Sequence, residues 1–521
     1  MSQYQPVHGQ PPYAQQPPYA QQPPYAQQPP YGQQPQYYQQ QQQQQQPPYY
    51  AQQPPYTQQP AYGDVWAAIV FVVCFLAFCG ICAFGLSHIN DTRPNNNSNS
   101  GSSKSGSGGS TTTTSGNSTI FIPAKDVGGV LGSSVAVGFV LSLIYFLLIH
   151  RFAGKMIMAT SVLSVIFMLA CAAAFAYYKI YIAAVIYLVI ALLSAWAFYS
   201  WRHRIPFAKI LLKIVTKVTS KYPATIAAGI IGLILSAAFS AFWVIGIVGL
   251  SNYLQGTNAS STAAYVMLVF SLFVYYWTTQ VIANSIHITI VGLFATYYFL
   301  GVSDGQGGVT VPVKNPTAAA AKRALTTSFG SNCYGSLIVA VIQTLRAIVR
   351  MAQDESQDNA VLAILLCCIQ CILSCLEGMV EYFNRYAFAQ VAIYGKDYCT
   401  AAKDTWELIK SRGIDAIIND DLVGNVLGMG SLFIGLITAV VGFAYIQLSD
   451  SIPHSTPNYV VVVLIAFFIG IAEFSVLASV IDSGIVATFV CLAEDPAALA
   501  RTKPELYQKI AQVYPQALIQ F

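Results

Sequence analysis

"SCLEGMVEYFNRYAF", Ser374 to Phe388, closes a membrane-length apolar run with two carboxylates, Glu377 and Glu381, followed by Arg385. Each is four residues from the next, so on a helix all three share one face. Charged side chains at membrane depth are costly, and they either pair with one another or border water. The stretch reads as a transmembrane helix with one polar face that something must solvate.

The rest of the chain agrees. Hydrophobic residues make up 55% of the 521 positions and charged residues only 9%, a balance that does not suit a water-soluble surface. Ten apolar runs recur, at 65–86, 127–149, 156–178, 180–200, 224–250, 263–283, 329–350, 360–380, 422–448 and 459–481. A helix needs roughly 20 residues to cross about 30 Å of hydrocarbon. The runs are continuously apolar, without the alternation of a lipid-facing strand, so helices are predicted rather than a barrel. The expected fold class is all-α: a polytopic membrane protein with about ten transmembrane helices.

Basic residues set the expected orientation. With the first tail inside, 19 of the 25 lysines and arginines fall on inner loops or the C-terminal tail. Only Arg93, Lys104, Lys125, Lys179, Arg346 and Arg350 lie outside or at an outer helix end. The positive-inside rule then predicts that both termini are cytosolic. The uncharged stretch 263–300 is long enough for one span and most of another. Two crossings there would carry the eleven inner basic residues from Lys314 onward outside, so one span followed by a broken or re-entrant piece is expected.

This organisation divides the chain into a tail (1–63), a first transmembrane helix (64–86), an extracellular loop rich in Asn, Ser, Thr and Gly (87–126), a transmembrane core (127–492) and a cytosolic C-terminal tail (493–521). Asn90, Asn96, Asn117 and Asn258 head glycosylation acceptor patterns, and all four fall outside in this topology. The 11 cysteines lie mostly in apolar segments, which suits packing and implies neither a disulfide framework nor a zinc site.

The tail is built from a Gln-Gln-Pro-Pro-Tyr-Ala repeat without a lysine or arginine, a composition that cannot bury a core. It is expected to be disordered and locally polyproline II. Pro47-Pro48-Tyr49-Tyr50 fits the pattern read by WW-type adaptor domains; a passive tail is the alternative. Farther on, Lys209, Lys213, Lys217 and Lys221 stand at four-residue spacing among aliphatic residues. Such a helix is expected to lie in the inner headgroup region, lysines toward anionic membrane lipids.

No enzymatic constellation stands out: there is no phosphate-cradling loop, no zincin pattern and no nucleophilic triad in a soluble domain. No enzyme activity, cofactor, metal or nucleic-acid partner is expected. Polar residues at membrane depth remain as site candidates. Tyr276, Gln280, Asn284 and His287 follow spacings of four, four and three and make one helical face. They either line a hydrated route or join spans by interhelical hydrogen bonds. In the opening stretch Arg385 is expected to pair with Glu381, leaving Glu377 for a substrate cation, a proton or an arginine from another helix. Glu473, midway through its run, either carries a proton or faces water. Aromatic residues such as Trp243 and Trp277 are near enough in sequence to form part of a cage, although most must be packing.

The segment from Cys375 to Asn425, containing "NRYAFAQVAIYGKD" and "GIDAIINDDLVGN", together with "YWTTQVIANSIHITIVGLFATYYF" and "FVCLAEDP", resembles the choline transporter-like family, closest to its fungal Pns-type branch. The resemblance implies ten spans, cytosolic termini, a large outer loop after the first span, and movement of choline or a related amino alcohol across the plasma membrane. Glu377, Asn384, Arg385, Gly395 and Lys396 carry over as family positions. A quaternary ammonium substrate calls for aromatic faces, with a carboxylate as an optional counter-charge. Trp243, Tyr276, Trp277, Gln280, Asn284, His287, Glu377 and Glu473 are therefore the substrate-binding candidates. Val486 departs from the family, standing where animal members carry an Asp. The alternative function is a non-transporting membrane organiser that recruits cytosolic partners through its tail.

Overall fold

The structure, a computed structural model, describes residues 62–87, 124–256, 261–303, 309–355, 360–449 and 456–513. The four acceptor asparagines and the Pro-Pro-x-Tyr pattern lie outside the described residues. Among the described residues thirteen α-helices follow one another: α1 (Val65–Ser87), α2 (Ala124–Tyr177), α3 (Tyr181–Trp201), α4 (Ile205–Lys221), α5 (Ala224–Gly256), α6 (Ser261–Leu300), α7 (Pro316–Ala324), α8 (Phe329–Glu355), α9 (Ala360–Tyr394), α10 (Tyr398–Leu448), α11 (Thr456–Glu494), α12 (Pro496–Thr502) and α13 (Pro504–Val513). A two-residue antiparallel pair, Val302–Ser303 with Val309–Thr310, links α6 to α7.

Among the described residues nine helical stretches are long and apolar enough to cross a membrane, which makes this an all-α polytopic membrane protein. The ten apolar runs fit those nine because α2 holds two of them. Its 54 residues form two arms that meet at Phe152, where φ −123 and ψ 29 leave helical geometry.

The uncharged stretch 263–300 corrects an expectation. It is neither broken nor re-entrant: α6 runs unbroken for 40 residues, about 60 Å at 1.5 Å per residue. Residues 287–299 are all buried, on a helix packed against α7, α11 and α12. A single helix longer than the bilayer needs no charge at its far end when protein covers that end.

A second correction concerns α4. Its lysines are exposed as expected, but its apolar face is not free to enter lipid. Phe207, Leu211, Leu212, Val215 and Val218 are buried in the main core with residues of α2, α6, α10 and α11.

Local sequence sets several joints. Gly395 stops α9 in the left-handed region, φ 68, as the residue after a helix end often must. Asp397 then opens α10 by accepting a hydrogen bond from the Thr400 amide at 3.0 Å, and that bond holds its carboxyl below the usual aspartate range. Asp64 Oδ2 accepts from Ser331 Oγ and from the Tyr398 amide, each at 2.7 Å, so one carboxylate joins the starts of α1, α8 and α10.

Candidate functional site

The opening stretch forms part of α9, whose polar face looks onto α6 and α8. Tertiary contacts redistribute its charges. Arg385 does not meet Glu381: it pairs with Asp482 of α11 at 2.6 Å and with Asp420 of α10 at 3.2 Å, while Tyr386 donates to Asp420 at 2.8 Å. Glu377 is likewise not free. Arg346 of α8 reaches its Oε2 at 2.6 Å, and Gln343 donates to its Oε1 at 3.0 Å.

Glu381 is left in the position expected of Glu377. It accepts from Gln280 at 3.1 Å and Gln343 at 3.3 Å. It makes none of the ion pairs within 4.0 Å found among the described residues. A cavity of about 450 Å³ opens in front of it, lined by Gln280, Asn284, Val339, Gly378, Glu381, Tyr382, Asn384 and Arg385.

Hydrogen bonds between helices hold this wall. Asn284 donates to Ser336 at 3.0 Å, Ser336 to Asn332 at 3.1 Å, and Asn332 to Ser285 at 2.8 Å. Asn384 donates to the Gly335 carbonyl at 2.9 Å and accepts from Tyr398 Oη at 2.6 Å. Buried amides satisfied across helices both glue the spans and fix the cavity's shape. The Gln280–Asn284 face thus both joins spans and borders a cavity.

A second cavity, about 330 Å³, lies between α5, α6 and α11 and contains His287, Ser475, Ser479, Asp482 and Ser483. Asn284 and Arg385 line both cavities. His287 is buried beside the ion pair. Its Nε2 donates to the Arg385 carbonyl at 2.9 Å, an assignment that follows because a carbonyl only accepts, and its Nδ1 meets Ser483 Oγ at 2.8 Å.

Five of the eight candidates line neither cavity. Glu377 is neutralised by Arg346, behind the cavity lining. Trp277 is buried between α1, α6 and α8, its Nε1 donating to the Cys333 carbonyl at 3.0 Å and its ring 5.2 Å from Phe71. Trp243 donates to the Ser271 carbonyl and stacks 4.7 Å from Tyr275. Tyr276 packs against the cluster that holds Trp277. Glu473 faces α2 and α10, on the side of α11 away from the second cavity. These aromatic rings join helices, as abundant apolar rings usually do.

A family model described as a plasma-membrane choline transporter matches residues 185–497. This chain belongs to the choline transporter-like family. It is 35% identical over 465 residues to Protein PNS1 of Gibberella zeae, covering 87% of this chain and 82% of that one. Protein PNS1 of Mycosarcoma maydis is 37% identical over 401 residues, 74% of this chain and 73% of its own. Protein PNS1 of Debaryomyces hansenii is 35% identical over 405 residues, 75% and 77% respectively. Membership in this family makes the chain a multi-pass membrane transporter.

The motif positions of this choline transporter-like chain divide by role. Asn384 and Arg385 line the cavity, whereas Gly395 turns the chain and Lys396 pairs with Asp404 at 2.5 Å. Val486 is fully buried in the core, so no acid is offered there. Sequence reasoning passed over Tyr382 and Asp420, and it assigned Glu381 to a local pair. The signal was present in the shared face of Glu381 and Arg385, but four-residue spacing ranks a local partner above distant ones.

Proposed function

We propose that this chain moves choline, or a related amino alcohol bearing a positive charge, across the plasma membrane, and that the larger cavity is where the cation binds. The observation that carries the reading is Glu381: a carboxylate held by two amide donors, free of any ion pair among the described residues, beside about 450 Å³ of space. That volume suits a small-molecule site. A quaternary ammonium has no N–H to donate, so it is recognised by charge and by aromatic faces. Glu381 supplies the first and Tyr382 the second.

Charge along the route favours cations. Among the residues that line the two cavities, Glu381 and Asp482 outnumber Arg385, a net negative charge with all three ionised. Arg385 forms the barrier where the two cavities adjoin. A rocking of α10 and α11 against α9 that breaks its pairs with Asp420 and Asp482 would join them, in keeping with alternating access around a midplane site. The distribution of lysine and arginine supports cytosolic termini. The residues named here bind and gate rather than catalyse, so a transporter and not an enzyme is the reading we adopt.

The test is uptake of radiolabelled choline by proteoliposomes containing the purified full chain. Uptake above that of empty vesicles, competed by unlabelled quaternary ammonium compounds, is expected; uptake equal to empty vesicles would sink the reading.

A further inference from the structure

The chain enters α1 through a narrow gap. Gly63 and Asp64 pass between the starts of α8 and α10, and neither Gly63 nor Gly330 has room for a side chain. A Cβ on Gly330 would overlap the Gly63 and Asp64 carbonyl oxygens, and one on Gly63 would stand 2.7 Å from Ser331 Oγ and 3.2 Å from Asp397 Cα. Asp64 adopts φ 50 there, a left-handed conformation that Asp and Asn tolerate better than most residues. Its carboxylate serves both neighbours from one oxygen: Oδ2 accepts from Ser331 Oγ and from the Tyr398 amide, each at 2.7 Å. That amide lies in the first turn of α10, where the helix offers no acceptor of its own and an anion is favoured.

Tyr398 carries the contact onward to the larger cavity. Its buried ring packs 5.1 Å from Tyr334 and 6.0 Å from Phe388. Gly335 keeps that slot open, since a Cβ there would overlap both the Tyr398 and the Phe388 rings. From the slot Tyr398 Oη donates to Asn384 Oδ1 at 2.6 Å. The Gly335 carbonyl only accepts, so Asn384 Nδ2 faces it, at 2.9 Å. Both ends of the Asn384 amide are thereby fixed. Asn384 and Glu381 stand three residues apart on one face of α9, and both line the cavity.

A second line leads to the same wall. Ser331 is followed on α8 by Asn332, which donates to the Val281 carbonyl at 3.0 Å and to Ser285 Oγ at 2.8 Å. Asn332 in turn accepts from Ser336, and Ser336 from Asn284. The two asparagines of the cavity, Asn284 and Asn384, are therefore both reached from the residue that precedes α1.

We propose that Asp64 is a positioning residue for the cation site: acting through Tyr398, it sets the orientation of the Asn384 amide in the cavity wall. Asp64 itself lines neither cavity. Without Oδ2 the Tyr398 amide loses its acceptor, the first turn of α10 shifts, and the Tyr398 hydroxyl leaves Asn384 Oδ1 without a donor. A buried amide oxygen stripped of its partner turns to find another, and the cavity in front of Glu381 is the space open to it. The misplaced wall then weakens cation binding. The substrate in this proposal rests on the transport reading; the link from Asp64 to Asn384 does not.

The test uses the purified full chain in liposomes with radiolabelled choline. Asp64→Ala should raise KM for choline about fivefold or more, the scale of one lost hydrogen bond, while the maximal rate stays within about twofold. Asp64→Asn keeps one acceptor oxygen for both bonds and should bring KM back to within about twofold of wild type. Tyr398→Phe keeps the ring and the amide but not the hydroxyl, and should match Asp64→Ala. Combining the two should add less than about twofold, because both cut one line. A plain structural anchor would lower the maximal rate at constant KM, or add in full to Tyr398→Phe; either result overturns the proposal. So does a Tyr398→Phe KM within about twofold of wild type, and that measurement decides alone should Asp64→Ala not yield folded protein. If wild type moves no choline, the transport reading fails separately, and amide hydrogen exchange decides the link. Asp64→Ala should then speed exchange at the start of α10 and in α9 around Asn384, and Asp64→Asn at neither; acceleration confined to α10 overturns the assignment.

Discussion

Around the α6–α8–α9 wall each carboxylate meets an arginine, an amide or a cavity, whereas at the α2–α10–α11 seam Glu473 Oε2 is buried without a hydrogen-bond partner. Both regions are built from apolar spans, so hydropathy does not separate them. The difference lies in which helices bring donors. α8 supplies Gln343 and Arg346 to the wall, while α2 presents Gly138 between two serines to the seam. A charge is tolerated in the first region by pairing or hydration; the second offers Glu473 neither an arginine nor an amide donor.

The comparison can be broken by mutation. The largest effect is expected from Glu381→Gln, which removes the cavity's one carboxylate outside an ion pair; choline uptake in proteoliposomes should fall at least tenfold, about 1.4 kcal/mol or more of lost recognition. A change below twofold would show that Glu381 is no more than another polar wall residue. Next comes Arg346→Ala, which strands Glu377 against Gln343. Thermal unfolding in detergent should register a loss of roughly 1–3 kcal/mol, kept to that range because Arg346 is 39% exposed. Adding Glu377→Gln to the same chain should recover most of it, and a double-mutant cycle without coupling would separate the two residues.

A smaller effect is expected at Lys503, which shows a third way of burying charge. Its Nζ donates to the Tyr297 carbonyl at 2.8 Å and the Tyr298 carbonyl at 3.2 Å, closing the C-terminal end of α6. Lys503→Met should free α12 and α13 for earlier proteolysis, at a cost of about 1 kcal/mol. Burial pushes the amine down to about 8 from 10.5. Between those values the unfolded segment binds more protons than the docked one, so docking should tighten as pH rises from 8 toward 10.5. Protease protection that falls over that window would contradict this. The smallest effect belongs to Asp397→Ala, which removes the α10 cap and should lower stability by about 1 kcal/mol or less. The cap is fully present above the ordinary aspartate pKa and is lost as pH falls through the lowered folded value, so the mutant and wild-type melting temperatures should converge in acid.

Much of the fold was legible along the chain. The ten apolar runs fell on nine membrane-length helices among the described residues, two of the runs joined end to end in α2. The break expected within 263–300 did not occur, because an uncharged stretch reads alike whether lipid or protein surrounds it. Gln280, Asn284 and His287 came to the cavities as their shared face suggested. Trp243 and Trp277 did not, since an aromatic ring carries no mark that separates packing from recognition.

The sequence by itself determined a membrane-spanning helical protein, the polar faces of α6 and α9, and the family, because apolar length, helical periodicity and motif are properties of neighbouring residues. Only the tertiary structure decided which acid is paired. Arg385 finds Asp420 and Asp482 at sequence separations of 35 and 97, passing over Glu381 four residues away. Charges choose partners by distance in space, and that distance exists only after the helices have packed.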